Sequence, residues 1–253
     1  MSPRARTVFF ILTLLVAALC VRLGLWQRSR LQERRARNAT IEARRSEPVA
    51  DLGAIHGPLA DRRVRARGYY DFGSDMLLRN QVVNEVPGVL VATPLRLTGS
   101  DTAVMVVRGF VPTPDGLSLP HLDSLREAGP QVVEGIAIAL EARPDSGRPV
   151  ERDGRLSWSR LDVAALARRL PYPILDVALL QAPSPTLPRW PRRQPPRPLD
   201  DGPHLSYMLQ WFAFATIALV MGSIVLLGRR ATQWSEPTER ASSAAGPPPP
   251  PPA

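Results

Sequence analysis

The sequence predicts a membrane protein of mixed α and β structure, in which two transmembrane helices flank a β-rich, partly barrel-like soluble domain that contains one helix. Three observations lead to this prediction. An apolar run lies near each end of the chain, strand-like segments fill the middle, and Gly and Pro residues separate those segments. The chain has 253 residues. The part between the apolar runs is therefore long enough for one compact domain.

The first apolar run extends from Val8 to Val21, and its 14 residues fall short of the ~20 residues that cross a bilayer core. Counting on to Trp26 gives 19 residues, and Arg22 can extend its guanidinium to the interface. We therefore predict a transmembrane helix over residues 8–26, after a short N-terminus of residues 1–7. A cleavable signal peptide is the alternative, but no A-x-A site follows the run, and Leu19 is too bulky for a lipoprotein site at Cys20.

Residues 27–182 are predicted to form a β-rich domain with a helical lead-in, on one side of the membrane. Residues 27–46 are polar and Arg-rich, which favours a helix that continues the first span into water. Small or apolar residues then alternate with arginines, the period-two pattern of a half-buried strand. We predict an antiparallel sheet curled into a partly closed barrel. The candidate strands are Arg62–Tyr70, Met76–Val83, Val89–Leu97, Val104–Val111 and Val132–Ala142.

One helix and a last strand complete this domain. Ser159 is a candidate N-cap, with Asp162 three residues later in a pairing that resembles a capping box. Apolar residues follow at helical spacing until Pro171, which cannot continue a helix. The segment Ile174–Gln181 is predicted to be a strand.

A Pro-rich stretch leads to the second apolar run. Eight prolines lie between Pro183 and Pro203, so residues 183–206 are predicted to be an extended linker. The run Tyr207–Leu227 has 21 residues with Gln210 as its one strongly polar side chain, which suffices for a transmembrane helix over residues 207–227. The basic stop Gly228-Arg229-Arg230 opens a Pro-rich tail, residues 228–253, which is predicted to be disordered.

Composition excludes several functions. The net charge is +9 and all 32 basic residues are Arg, but no nucleic-acid-binding motif accompanies this charge. Cys20 is the only cysteine, which excludes an intramolecular disulfide, a CxxC redox pair and a copper chaperone that uses paired thiolates. The arginines that follow the first span outnumber those before it. By the positive-inside rule alone this favours a cytoplasmic middle domain.

The facing ends of the two spans hold the candidate site. Because two spans place the end of the first and the start of the second on one side of the membrane, a histidine, a glutamine, an arginine and three aromatic residues should lie at similar depth. A neutral imidazole is a common axial ligand of haem iron, and Arg can pair with a propionate. The alternative is an ordinary aromatic belt with an interfacial Arg. If the ends of the spans do bind a cofactor, the candidate residues are His204, Trp26, Gln27, Arg30, Tyr207 and Trp211, with His204 as the candidate iron ligand.

Four blocks in the chain resemble the SURF1 family of cytochrome c oxidase assembly factors. The first is L-G-x-W-Q-x-x-R, from Leu23 to Arg30, and the last is H-L-x-Y-x-x-x-W-F, from His204 to Phe212. Between them lie P-G-V-L-V-A-T-P-L, from Pro87 to Leu95, and V-V-R-G-F-V-P, from Val106 to Pro112. The chain departs from the family at Asp201-Gly202-Pro203, where family members often have Asn.

The resemblance implies a non-enzymatic protein that binds haem a transiently and assists its insertion into the catalytic subunit of a haem–copper oxidase. It implies that His204 binds the haem. It also implies that the middle domain, residues 27–182, is extracytoplasmic and that residues 1–7 and 228–253 are cytoplasmic, in conflict with the Arg count. The expected partners are that catalytic subunit, haem a synthase and membrane lipid, with no nucleic acid, in a bacterial inner membrane. A module that docks on the nascent oxidase without a cofactor is the alternative. A hydrolase lacks support because no GxSxG motif is present.

Overall fold

A computed structural model describes residues 2–140, 142, 149–152 and 155–227 of the chain. The chain divides into two compact units. One unit contains residues 1–36 and the segment from Asp201 onward, and the other contains residues 37–200. The predicted basic stop at Gly228-Arg229-Arg230 and the predicted tail, residues 228–253, lie outside the described residues.

Two long helices occur where the apolar runs lie. Helix α1 extends without interruption over Pro3–Ser46, and helix α3 covers His204–Leu227. Both helices are long and apolar enough to cross a membrane. Most of the apolar side chains of these two helices are exposed on the outer surface of the helix pair. Leu15 is 62% exposed and Ile217 is 58% exposed.

The other unit is built on a nine-stranded sheet in the order β1-β2-β6-β9-β5-β4-β3-β8-β7. An additional pairing of β2 with β4 closes five of these strands, β2, β6, β9, β5 and β4, into a ring. The β-rich, barrel-like domain of the prediction is therefore present. The strands are β1 (Ala50–Asp51), β2 (Arg63–Tyr70), β3 (Met76–Val83), β4 (Val86–Leu97), β5 (Ala103–Pro112), β6 (Gln131–Ala139), β7 (Val150–Arg152), β8 (Arg155–Trp158) and β9 (Ile174–Gln181).

The core lies on both faces of strand β5. Val104 and Val106 point into the ring with residues from β2, β4, β6 and β9. Met105 and Val107 point to the opposite face, where they pack with Leu166 of the short helix α2 (Val163–Arg169). A strand covered on both faces reads as a continuous apolar run, which explains the sequence of β5. Full burial of each such side chain contributes about 1.5–3 kcal/mol.

The structure differs from the sequence prediction in four local features. Strands β5 and β9 pair in parallel, as do β3 and β8, so the sheet is mixed rather than antiparallel. Strand β6 ends at Ala139 rather than at Ala142. Helix α2 is capped by Asp162, whose carboxylate accepts a hydrogen bond of 2.7 Å from the Ala165 amide, rather than by Ser159. Strands β1, β7 and β8 were not predicted because they are too short to show a period.

Candidate functional site

Helices α1 and α3 pack along one stripe of small and polar residues. The buried residues of α1 follow one another at intervals of three and four, the spacing of a coiled-coil seam. The less exposed residues of α3 show the same spacing. The α1 residues are Ala17, Cys20, Gly24, Gln27 and Leu31, and the α3 residues are His204, Met208, Trp211, Ala215, Ala218 and Gly222. We call this stripe the seam.

Two glycines of the seam make room for side chains of the facing helix. A Cβ atom at Gly24 would lie 2.8 Å from the Phe212 ring, and one at Gly222 would lie 2.3 Å from the Thr13 hydroxyl oxygen. Side chains that fit against small residues make van der Waals contacts, the usual basis of helix association in an apolar solvent. Ala17 and Cys20, which precede Gly24 in α1, form a buried cluster with Ala215 of α3.

Gln27 and His204 form a polar pair at one end of the seam. The Nδ1 atom of His204 lies 2.9 Å from Oε1 of Gln27, and the Gln27 residue is 9% exposed. A carboxamide oxygen can only accept a hydrogen bond, so this contact is a hydrogen bond in the tautomer whose Nδ1 carries the imidazole proton. The tautomer that results keeps the lone pair on Nε2.

The Nε2 edge of His204 is open to a ligand. Nε2 has no hydrogen-bond partner among the residues that the structure describes. Gly202 lies beside this edge: a Cβ atom added there would be 3.5 Å from Cδ2 and 3.7 Å from Nε2 of His204. Because Gly202 has no side chain, this edge of the ring is not covered from that direction.

The remaining predicted site residues are divided between the seam and the outer surfaces. Trp211 lies in the seam and packs against the Ala17 cluster. Trp26 is 50% exposed on the outside of α1, where the Arg30 guanidinium stands 5.7 Å from the centre of its ring. Arg30 also forms an exposed ion pair with Glu33 at 2.9 Å. Tyr207 is 47% exposed and lies outside the seam. The structure therefore joins His204 directly to Gln27 alone among these residues.

An ion pair lies near the start of α3. Arg35 Nε donates a 2.8 Å hydrogen bond to Oδ2 of Asp201, three residues before His204. Both side chains are substantially exposed, so the pair contributes little stability. The Asp201 charge also interacts favourably with the positive end of the α3 dipole. Sequence reasoning did not identify this pair, because its partners are 166 residues apart.

A second cluster of charges is buried inside the β-rich unit, and sequence reasoning missed its role as well. Oε1 of Glu127 accepts hydrogen bonds from Arg108 at 2.7 Å and from Arg193 at 2.5 Å. Arg108 is fully buried and its guanidinium lies 5.1 Å from the centre of the Tyr70 ring. Burial raises the pKa of Tyr70 well above its usual range, although Arg108 acts in the opposite direction. We call Arg108, Glu127 and Arg193 the buried triad.

The described residues contain no group of three or more His, Cys, Asp or Glu side chains that could hold a metal ion. A metal held by protein ligands alone therefore has no candidate centre in this part of the chain. A single imidazole can still serve iron that is already bound in a porphyrin, because the porphyrin supplies the equatorial nitrogens.

Comparisons with known proteins match the two helices as well as the barrel. The sequence model of the SURF1 family matches residues 14–216, which include Gln27, His204 and the whole β-rich unit. A SURF1-like protein of Monosiga brevicollis is 28% identical over 214 residues, which cover 79% of this chain and 80% of that protein. SURF1-like proteins of Rickettsia conorii and Rickettsia bellii are each 30% identical, over 105 and 102 residues. The alignment with the Rickettsia conorii protein covers 41% of this chain and 41% of that protein. The alignment with the Rickettsia bellii protein covers 39% of this chain and 42% of that protein. Because the family model matches most of the chain, the protein belongs to the SURF1 family.

Proposed function

We propose that this protein is an assembly factor for a haem–copper cytochrome c oxidase, and that it holds haem a transiently through His204 before the haem enters the catalytic subunit. Membership of the SURF1 family supports the role in oxidase assembly. The observation that carries the haem proposal is the arrangement of one imidazole, with Nδ1 held by Gln27 at 2.9 Å and Nε2 left without a partner.

The side chains around His204 fit a haem bound by one axial ligand. A neutral imidazole with a free Nε2 lone pair is the form that ligates haem iron. Gly202 leaves that edge uncovered, and Trp211 offers an aromatic surface two turns along the same face of α3. Arg30 is the candidate partner for a propionate and Trp26 and Tyr207 for contact with the macrocycle, since all three are exposed at the same end of the helix pair.

A bacterial inner membrane is the proposed location, with α1 and α3 as its two spanning helices. The outward-facing apolar side chains of both helices support this location, because water-exposed helices of this length carry a polar face. The β-rich unit is placed outside the cytoplasm on the basis of the family, against the Arg count. Membrane lipid, the oxidase catalytic subunit and haem a synthase are the proposed partners, and the role requires no enzymatic step.

A docking module without a cofactor is the second candidate. The observation in its favour is an apolar hairpin tip between β3 and β4, where Val82 is 67% exposed and Val86 is 45% exposed. The register pairs Val82 with Pro87 and Val83 with Val86, so the two exposed valines lie on opposite faces of the hairpin. Exposed apolar side chains of this kind are suited to contact with another protein. In this reading the catalytic subunit of the oxidase binds the hairpin and His204 has no ligand.

Oxidase content in cells separates the two candidates. The chromosomal copy would be replaced by His204→Ala, by Val82→Ser with Val86→Ser, or by unchanged sequence, and haem a per oxidase subunit would be measured in isolated membranes. The haem proposal predicts a low haem a content with His204→Ala and a normal content with the double serine variant. The reverse pattern would favour the docking module.

A further inference from the structure

We infer that Gln27 is a positioning residue for His204, which fixes the imidazole in the Nδ1-protonated tautomer and directs Nε2 outward as the ligand atom. This inference rests on the proposed haem-binding function of His204 and deepens it. It also changes the expected role of Gln27, which the sequence analysis placed among the candidate cofactor-binding residues.

The position of Gln27 in the seam supports the inference. The other seam residues of α1 are Ala17, Cys20, Gly24 and Leu31, all small or apolar, and Gln27 is as buried as they are. Burying a carboxamide without a hydrogen-bond partner costs roughly 1–3 kcal/mol by protein mutational data. His204 of α3 supplies that partner at 2.9 Å. The buried amide of Gln27 therefore has His204 as its hydrogen-bond partner.

The geometry assigns one direction to the hydrogen bond. The oxygen of Gln27 faces Nδ1 of His204, so Nδ1 must donate. Histidines that ligate metals nearly always donate their second ring N–H to an oxygen in this manner, which sets both the tautomer and the orientation of the ring. The close approach at Gly24, one turn before Gln27 on the same face, holds α1 near the Phe212 ring of α3.

The choice of an amide rather than a carboxylate has a chemical consequence. A carboxylate partner draws the Nδ1 proton toward itself and raises the basicity of Nε2, which strengthens the bond to iron. The neutral oxygen of Gln27 orients the ring with a smaller effect on basicity. A histidine with this partner would bind haem strongly enough to orient it and weakly enough to release it, as an insertion factor requires.

The first test uses the protein without haem. The full chain would be labelled with ¹⁵N histidine, purified in detergent micelles, and the protonated ring nitrogen of His204 identified by NMR, with His56 and His121 as references and His204→Ala for assignment. We expect an Nδ1-protonated ring in the unchanged protein and in Gln27→Glu. We expect the Nε2-protonated tautomer to become dominant in Gln27→Leu. The matched control is Gln210→Leu, which replaces an exposed glutamine of α3 and should leave the His204 signals unchanged.

Two results of this first test would overturn the inference: an Nε2-protonated His204 in the unchanged protein, or a tautomer that does not change in Gln27→Leu. Neither result bears on whether the protein carries haem. Helix packing in Gln27→Leu would be checked by thermal unfolding of that variant against the unchanged protein. The Gln27→Glu variant keeps an acceptor oxygen at the same position.

The second test uses the haem-loaded protein. Loss of a hydrogen-bond partner to a ligating histidine typically lowers metal affinity by ~10–100-fold. We expect Gln27→Leu to lose haem to a competing apoprotein faster by about that factor, and Gln27→Glu to lose it more slowly and to have a lower reduction potential. If His204 is needed for haem and these variants match the unchanged protein in release rate and potential, the positioning role is wrong and the proposed function stands. If no variant takes up haem, the proposed function is wrong, and the NMR result alone decides the hydrogen bond.

Discussion

Arg193 and Glu127, which lie 66 residues apart in the chain, form a buried hydrogen-bonded ion pair with 2.5 Å between Nη2 and Oε1. Arg193 belongs to the Pro-rich segment that the sequence predicted to be an extended linker. In the structure this segment is also hydrogen-bonded to the barrel. Arg192 exchanges two backbone hydrogen bonds of 2.8 Å with Phe110 of β5. Gly109 permits this approach, since a Cβ atom there would lie 2.5 Å from the Arg192 carbonyl oxygen.

Replacing Glu127 with Gln is expected to destabilise the β-rich unit strongly. The substitution keeps the shape of the side chain and removes the negative charge, which leaves the two buried guanidinium groups of Arg108 and Arg193 without compensation. Removing one member of a buried ion pair typically costs about 3–5 kcal/mol. Thermal unfolding of the full chain in detergent, followed by circular dichroism of the strands, measures the change.

Glu134→Gln is the matched control for the buried triad. Glu134 pairs with Arg65 at 2.6 Å, but both side chains are substantially exposed. Exposed ion pairs contribute little to stability, so this variant should unfold close to the temperature of the unchanged protein. Equal effects of the two substitutions would show that burial of the triad has no energetic importance.

Tyr172→Phe should lower the folding stability at pH values above the ordinary pKa of an aspartate. The loss of stability should be smaller in acid. Burial acts to raise the pKa of the Asp71 carboxyl, but hydrogen bonds from Tyr172 at 2.6 Å, from Ser74 and from the Gly73 amide outweigh it and lower the pKa. A lowered pKa in the folded state contributes stability that is present above the unfolded value and is lost as the pH falls through the folded value.

Denaturant unfolding across acidic and neutral pH tests this prediction. The stability difference between Tyr172→Phe and the unchanged protein should be largest near neutral pH and should decrease as Asp71 becomes protonated. Ser118→Ala is a suitable comparison, because it removes a donor to Asp115 in a different loop, where hydrogen bonds from Ser118 also lower the carboxyl pKa. A difference for Tyr172→Phe that increases on acidification would contradict the assignment.

A disulfide should form across the seam when Ala215 is replaced with Cys. Ala215 and the native Cys20 belong to the same buried cluster between α1 and α3, and two thiols on facing small-residue positions can meet the geometry of a disulfide. Oxidation with copper phenanthroline in detergent, followed by mass spectrometry of the remaining free thiols, measures its formation. Ala213→Cys places the thiol on the exposed side of α3, and intramolecular pairing in that variant would contradict the packing of the seam.

The strands could be predicted from sequence where a local period determines them. Segment Ile174–Gln181 was predicted with the bounds that the structure has, because an apolar run is bordered there by Pro and Ala-Pro. The neighbours of each strand could not be predicted in this way. The parallel pairing of β5 with β9 joins residues about 70 positions apart, and local periodicity carries no information on such pairings.

Part of the candidate site could be predicted from the sequence. His204 was singled out by its place before an apolar run, and the intervals of three and four among small residues of both helices could also have identified Gln27 as a seam residue. The buried triad had no such signal. Arg108, Glu127 and Arg193 lie in a strand, a loop and a Pro-rich segment, and in the sequence they resemble exposed charges.

The central claim is that His204 ligates haem iron, and the absorption spectrum of the purified protein tests it most directly. The full chain would be purified from cells that make haem a, as the unchanged protein, as His204→Ala and as His121→Ala. His121 is an exposed histidine outside the helix pair, so its replacement controls for general effects of losing an imidazole. We predict a Soret band in the unchanged protein and in His121→Ala, and its loss or displacement in His204→Ala. An unaltered Soret band in His204→Ala would contradict the claim.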